Sequence, residues 1–159
     1  MKSPDFTDRV TEEYTKLFVG PTELSAPPWE SIYVGEEGLL FQESTLKVRD
    51  SYRRFGLLPE AYPRVADDSL ALELGFMAEL AQRSADQFED GREDALKESL
   101  QGAADFLDQH LLVWIPMYLK RISESDTDLL YPGLVRILDS FLKKDRETLT
   151  DLLMEGAHI

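Results

Sequence analysis

The 159-residue chain holds two histidines and no cysteine, which narrows the possible chemistry before any fold is considered. Without cysteine there is no thiol nucleophile, no disulfide framework and no cysteine-ligated zinc or iron–sulfur site. Glu155-x-x-His158 matches half of the Glu-x-x-His signature of carboxylate-bridged di-metal bundles. Such a site needs the signature twice, and His110 has no glutamate three residues before it. A Ser-His-Asp triad would also have to use His110, and no Gly-x-Ser-x-Gly turn presents a nucleophile. Neither a phosphate loop nor a Gly-x-Gly-x-x-Gly motif occurs. The 31 acidic residues make paired carboxylates inevitable, but no pattern selects a pair for hydrolysis. The residues predict no catalytic site, no metal and no cofactor, with a small carboxylate-dependent hydrolase as the enzymatic alternative. His110 is expected at a helix start, its imidazole hydrogen-bonded to a neighbour.

The distinctive segment is LFVGPTELSAPPWESIY at 17–33, where Phe18, Trp29, Ile32 and Tyr33 gather around three prolines. It opens a long irregular stretch, 20–43, of a length that is usually functional inside a compact domain. Two readings stay open. Trp29 and Tyr33 tuck under the loop as a satellite core, or a proline-braced aromatic lip lines a groove for an apolar peptide. In the second reading the Trp29 indole N–H bonds a backbone carbonyl.

Helices must position these residues. Phe6, Val10, Tyr14, Leu17 and Phe18 recur at helical spacing over about 5–18, and Gly20-Pro21 ends that helix. Ser44 or Thr45 is the expected cap of a helix stopped at Gly56, and Asp67 or Asp68 the cap of the next. Leu70, Leu74, Met77 and Ala81 form one stripe of that helix and Leu72, Phe76 and Leu80 another, predicting burial on two sides. Helices over about 93–108 and 109–122, one starting near Pro132, and a short last one at Leu149–Leu153 complete the reading. The fold class is all-α, a single-domain bundle of six to seven helices with a long Pro-rich loop at about 20–43.

The net charge is −14, and residues 60–108, with 13 acids and 4 bases, supply most of it. This excess argues against nucleic acid and against an anionic membrane surface, both of which are held by Lys and Arg. It reads either as a solvated helix face or as a wall beside a cationic ligand. No apolar run is long enough to span a membrane and the start carries no signal peptide, so the expectation is a soluble, cytoplasmic protein with no stable membrane insertion.

LFVGPTELSAPPWESIY at 17–33, EGLLFQESTLKVRDSYRRFGL at 37–57, ADDSLALELGFMAEL at 66–80 and QHLLVWIPMYL at 109–119 together resemble the TorD/DmsD family. These are cytoplasmic chaperones for molybdopterin oxidoreductases exported by the twin-arginine (Tat) route. The resemblance covers nearly the whole chain, and its Phe-Val-Gly-Pro to Pro-Pro-Trp-Glu-Ser run is specific. It implies an all-helical, non-enzymatic protein that holds the leader and apo catalytic subunit of a client reductase until its cofactor is inserted, then releases it for export. The related NarJ branch implies an alternative, an assembly factor gripping the mature subunit of a non-exported enzyme.

Carried over by position, the leader-binding residues are Tyr14, Leu17 and Phe18, then Pro28 and Trp29, then Asp67 and Asp68, whose carboxylates would offset paired arginines. Two departures fall beside them. Ser69 stands where the family has histidine, and Gln42 where it commonly has glycine. Relatives also begin with one or two further helices before the one holding Tyr14, which implies a short form or a missing N-terminus. A bundle lacking an outer helix exposes an apolar face, so a homodimer by helix exchange is expected as a possible partner state.

Overall fold

The computed structural model describes residues 5–20, 24–35, 39–58 and 66–155, and among these it is a helical bundle with a single isolated antiparallel bridge, Trp29 to Ser69. The half-motif histidine, His158, lies outside the described residues. Helix α1 (Phe6–Tyr14) starts at Asp5, whose Oδ1 accepts the Asp8 amide at 2.9 Å while Asp8 Oδ2 accepts the Asp5 amide at 3.3 Å. This reciprocal box satisfies two orphan donors of the first turn. A π-helical turn, Thr15–Val19, continues α1 directly.

The stretch expected to be irregular contains α2 (Glu30–Val34), one short helical turn. Helix α3 (Glu43–Arg54) begins two to three residues earlier than expected, with Gln42 as its cap and Ser44 and Thr45 inside it. Gly56 ends it as expected, at φ +66°, where glycine carries no Cβ penalty.

Helix α4 (Leu70–Glu89) is fully buried along one face, while Leu70, Leu74 and Met77 of the other expected stripe are half-buried against the core. Glu73, Phe76, Leu80 and Ser84 point inward and Ala81 is exposed. Its cap position is Ser69, which makes no side-chain cap bond, and Asp68 caps a different helix, as described below.

Helices α5 (Glu93–Phe106) and α6 (Leu112–Ser123) are joined without a break by a second π-helical turn, Leu107–Leu111. The two expected helices are therefore one rod, and His110 sits within it rather than at a start. Pro116 lies inside α6, removing one amide from its ladder. Helix α7 (Tyr131–Glu155) likewise merges the last two expected helices. Pro132 sits in its first turn, where a missing amide costs nothing.

Helix α4 packs along α5, α7 packs across α5 and α6, and α2 wedges between α3 and α6. The core is aromatic at its centre: Phe76, Phe106, Trp114 and Tyr118 are buried, with Tyr52 against Phe76 at 4.8 Å and Phe106 against Phe76 at 4.7 Å between ring centroids. Each such side chain contributes about 1.5–3 kcal/mol on burial. No helix among the described residues is long and apolar enough to cross a membrane.

Candidate functional site

Residues 24–35 form a strap across the bundle, held by hydrogen bonds to segments far away in sequence. The Glu30 amide donates to the Asp68 carbonyl at 3.0 Å and the Leu70 amide to the Pro28 carbonyl at 3.0 Å. The Ser31 amide donates to Asp68 Oδ2 at 2.8 Å. The Arg121 guanidinium donates to the Ser25 carbonyl at 2.8 Å. The Tyr33 ring stacks on Trp114 at 5.5 Å.

Under the strap lies a buried polar centre. The Glu30 carboxylate, 3% exposed, meets His110 Nδ1 at 2.9 Å. His110 Nε2 lies 3.4 Å from Ser51 Oγ. The Trp114 indole donates to Glu73 Oε2 at 2.9 Å. Burial lifts the Glu73 carboxyl well above the usual carboxylate range, and the charges of Glu30 and Asp68 push it further in that direction, against the opposing Trp114 bond. The Arg49 guanidinium donates to Asp67 Oδ2 at 2.6 Å, and the Tyr52 hydroxyl to the Asp67 carbonyl at 2.9 Å. Burial, with four surrounding carboxylates, raises the Tyr52 phenol far above its ordinary value.

Beside this centre opens a groove of about 1040 Å³ between α2, the start of α3 and the second π turn. Val34, Leu39, Leu40, Phe41 and Val113 wall it, and Glu30 and His110 reach its floor. All five apolar residues are exposed, Phe41 by 63%. Phe41 also holds φ +61°, the left-handed region that favours glycine. A bulky residue persists there only where its surroundings over-determine it, at a cost of about 1–3 kcal/mol.

The expected binding residues fall into three places. Pro28, Trp29, Asp68 and Ser69 come together at the strap's bridge, with Pro28 and Trp29 half-buried. Gln42 lines the groove on the far side of α2, packed on Gly35, where a Cβ would overlap its amide. Tyr14 and Phe18 form an aromatic patch with Tyr131, centroids 5.0–6.2 Å apart, between α1 and α7. Leu17 is wholly buried in the core beneath that patch. Asp67 and Asp68, expected to meet arginines directly, are both 0% exposed; the Arg49 guanidinium donates to one carboxylate and the Ser31 amide to the other.

Three residues of the centre went unread in the sequence. Glu30 was inside the quoted Trp-Glu-Ser run, and Glu73 stands between Leu72 and Leu74 at apolar-stripe spacing from Phe76 and Leu80. Arg49 carried no signal of its own. Among the described residues no group of three or more acidic or histidine side chains is arranged to hold a metal ion.

A family model described as the nitrate reductase delta subunit matches residues 4–119 of this chain. A chaperone protein TorD from Vibrio cholerae serotype O1 is 32% identical over 143 residues, covering 90% of this chain and 63% of the relative. A probable Tat proofreading chaperone DmsD from Haemophilus influenzae is 30% identical over 125 residues, covering 79% of this chain and 54% of the relative. A chaperone protein TorD from Photobacterium profundum is 27% identical over 133 residues, covering 84% and 60%. The chain spans less than two thirds of the length of these curated relatives.

Proposed function

Because the chain belongs to the TorD/DmsD family, itself covered by the nitrate reductase delta subunit model, we propose that it is a non-enzymatic maturation chaperone. It binds the twin-arginine leader or apo catalytic subunit of a molybdopterin oxidoreductase and releases it once the cofactor is in place.

The groove beside α2 carries this reading. Its exposed Val34, Leu39, Leu40, Phe41 and Val113 suit an apolar stretch of peptide, and Glu30 at its floor suits a cation. A net charge of −14 draws a basic segment in. Gln42 lines the groove itself, whereas Pro28 and Trp29 lie at the strap's bridge to Ser69, just before α2. Asp68 and Ser69 act from beneath by holding the strap, Asp67 ties the segment before α4 to Arg49 and Tyr52 of α3, and Tyr14 and Phe18, braced by Leu17, offer a second apolar patch for the mature subunit.

Calorimetric titration of a synthetic peptide with an Arg-Arg pair ahead of an apolar stretch tests it. Saturable binding by the wild type, weakened at least tenfold in Phe41→Ser, is expected; no saturable binding sinks the leader reading. Pull-down of the catalytic subunit with and without its leader separates the branches. Equal retention of the leaderless subunit favours the assembly-factor alternative.

A further inference from the structure

Glu30 faces two ways. It reaches the floor of the groove, and it lies within side-chain hydrogen-bonding reach of Glu73 in the buried centre. Glu73 is 0% exposed; its Oε2 takes the Trp114 indole, while its Oε1 is buried with no partner among the described residues. Asp68 Oδ1, also buried, is unpartnered too. Carboxylates this close in a dry interior do not all ionise, because the second charge is opposed both by the first and by lost hydration. A proton on Glu73 Oε1 removes the conflict: the orphan acceptor becomes a donor to Glu30.

Resting on the reading of the groove as a peptide site, we propose that Glu30 and Glu73 form a proton-linked subsite for one guanidinium side chain of the peptide. The incoming cation sits against Glu30 and the proton held on Glu73 leaves to solvent. One positive charge enters and one departs, so the site's net charge is unchanged and the carboxylates exchange a buried proton for a charge-assisted hydrogen bond.

The other groups facing the pair leave this exchange available. On α3, Arg49 is engaged by Asp67 and Tyr52 stays protonated under its raised pKa. At the groove's rim, Lys47 is paired with Glu43 at 3.0 Å. His110, on the second π turn, and Asp68, at the foot of α4, also face the pair, so the test must separate both from Glu73. Burial and the neighbouring charges of Glu30 and Asp68 favour the protonated form of the Glu73 carboxyl.

The Arg-Arg peptide is titrated by calorimetry near pH 7 in phosphate and in Tris, whose ionisation heats differ. The expected result is about one proton released per peptide bound, and at least tenfold weaker binding without release when citrulline replaces the arginines. In Glu73→Gln, whose amide oxygen still accepts from Trp114, the peptide that binds is expected to release no proton. Release that survives in Glu73→Gln assigns the proton to another group of the centre and overturns the proposal. Binding by the wild type with no buffer dependence overturns it alone, whereas no binding heat at all takes down the groove reading with it. Should Glu73→Gln fail to fold, a carbon-13 carboxyl titration of the unliganded wild type decides: Glu73 found ionised at pH 6 overturns the proposal, and found protonated supports it.

Discussion

The Ser31 backbone N–H donates to the Asp68 carboxylate at 2.8 Å, so an aspartate at the foot of α4 caps α2 instead of its own helix. A helix of five residues has no stability of its own, since nucleation costs more than its few hydrogen bonds return. Asp68 supplies what α2 lacks and ties the strap to the bundle. Asp68→Ala is expected to cost about 0.5–2 kcal/mol of local stability. Hydrogen exchange at the Ser31 amide reports it, accelerating by about 5–30-fold for a loss of 1–2 kcal/mol. Asp68→Asn, which keeps an acceptor oxygen, should retain most of the protection. Unchanged exchange in Asp68→Ala would mean that the bridge, not the cap, holds the strap.

Glu13 plays the same part elsewhere. Its carboxylate, on α1, accepts the amides of Leu129 and Leu130 at 2.9 Å and of Tyr131 at 3.2 Å, and so caps α7 from another helix. Hydrogen bonds to a charged group contribute about 1.5–3 kcal/mol, and Glu13 is 5% exposed, so little water replaces them. Glu13→Ala is expected to lower the melting temperature by about 5–10 °C. Glu13→Gln should be nearly as harmful, because its NH2 would face amides that are also donors. Thermal melts of both variants check this, and a Gln variant as stable as the wild type would place the capping contribution elsewhere.

These two caps explain what could and could not be read from the sequence. Helices with local signals were legible: the run into α3 with its Gly56 stop, the Asp5 start of α1, and the apolar rod around Trp114. Helix α2 was not, because its cap lies 37 positions away and Pro27 and Pro28 stand just before it. No break falls between Leu142 and Leu149, because the run Lys143–Thr148 contains no glycine or proline and continues one long helix. The candidate site was legible as a segment, since Trp29, Gln42 and Asp68 all border the strap. Its chemistry was not, because a buried carboxylate such as Asp67 or Glu73 looks like any surface acid until its partners are placed.

Gly102 marks a close approach in the core that tests the packing of α5 on α3. A Cβ built there would overlap the Phe55 ring, which itself packs on Phe76 at 5.9 Å. Replacing glycine by alanine inside a helix gains about 1 kcal/mol of propensity, while overpacking costs about 1–3 kcal/mol. The second effect should win, leaving Gly102→Ala destabilised by about 1 kcal/mol in denaturant titration. In a Phe55→Leu background the obstruction is gone and the same substitution should become stabilising. No change of sign between the two backgrounds would show that the Phe55 ring moves aside freely.

Glu73 also sets how stability depends on pH. Burial and the neighbouring charges of Glu30 and Asp68 raise its carboxyl well above the usual range in the folded protein, whereas in the unfolded chain it titrates near 4.5. Between those two values the folded state binds more protons than the unfolded state, so stability falls as pH rises through that window. Each pH unit of the window costs about 1.4 kcal/mol. Glu73→Gln mimics the protonated form and keeps an acceptor for the Trp114 indole, so it should lack this slope. Its stability relative to the wild type is expected to increase steadily from pH 5 towards the folded pKa and then level off. Asp145, whose partial burial also lifts its carboxyl, contributes to both proteins alike and cancels in the difference. Denaturant titrations of the two proteins at pH 5, 6, 7 and 8 measure the effect. Parallel curves would show that Glu73 is already ionised in the folded protein, and the buried centre would then need another cation to balance it.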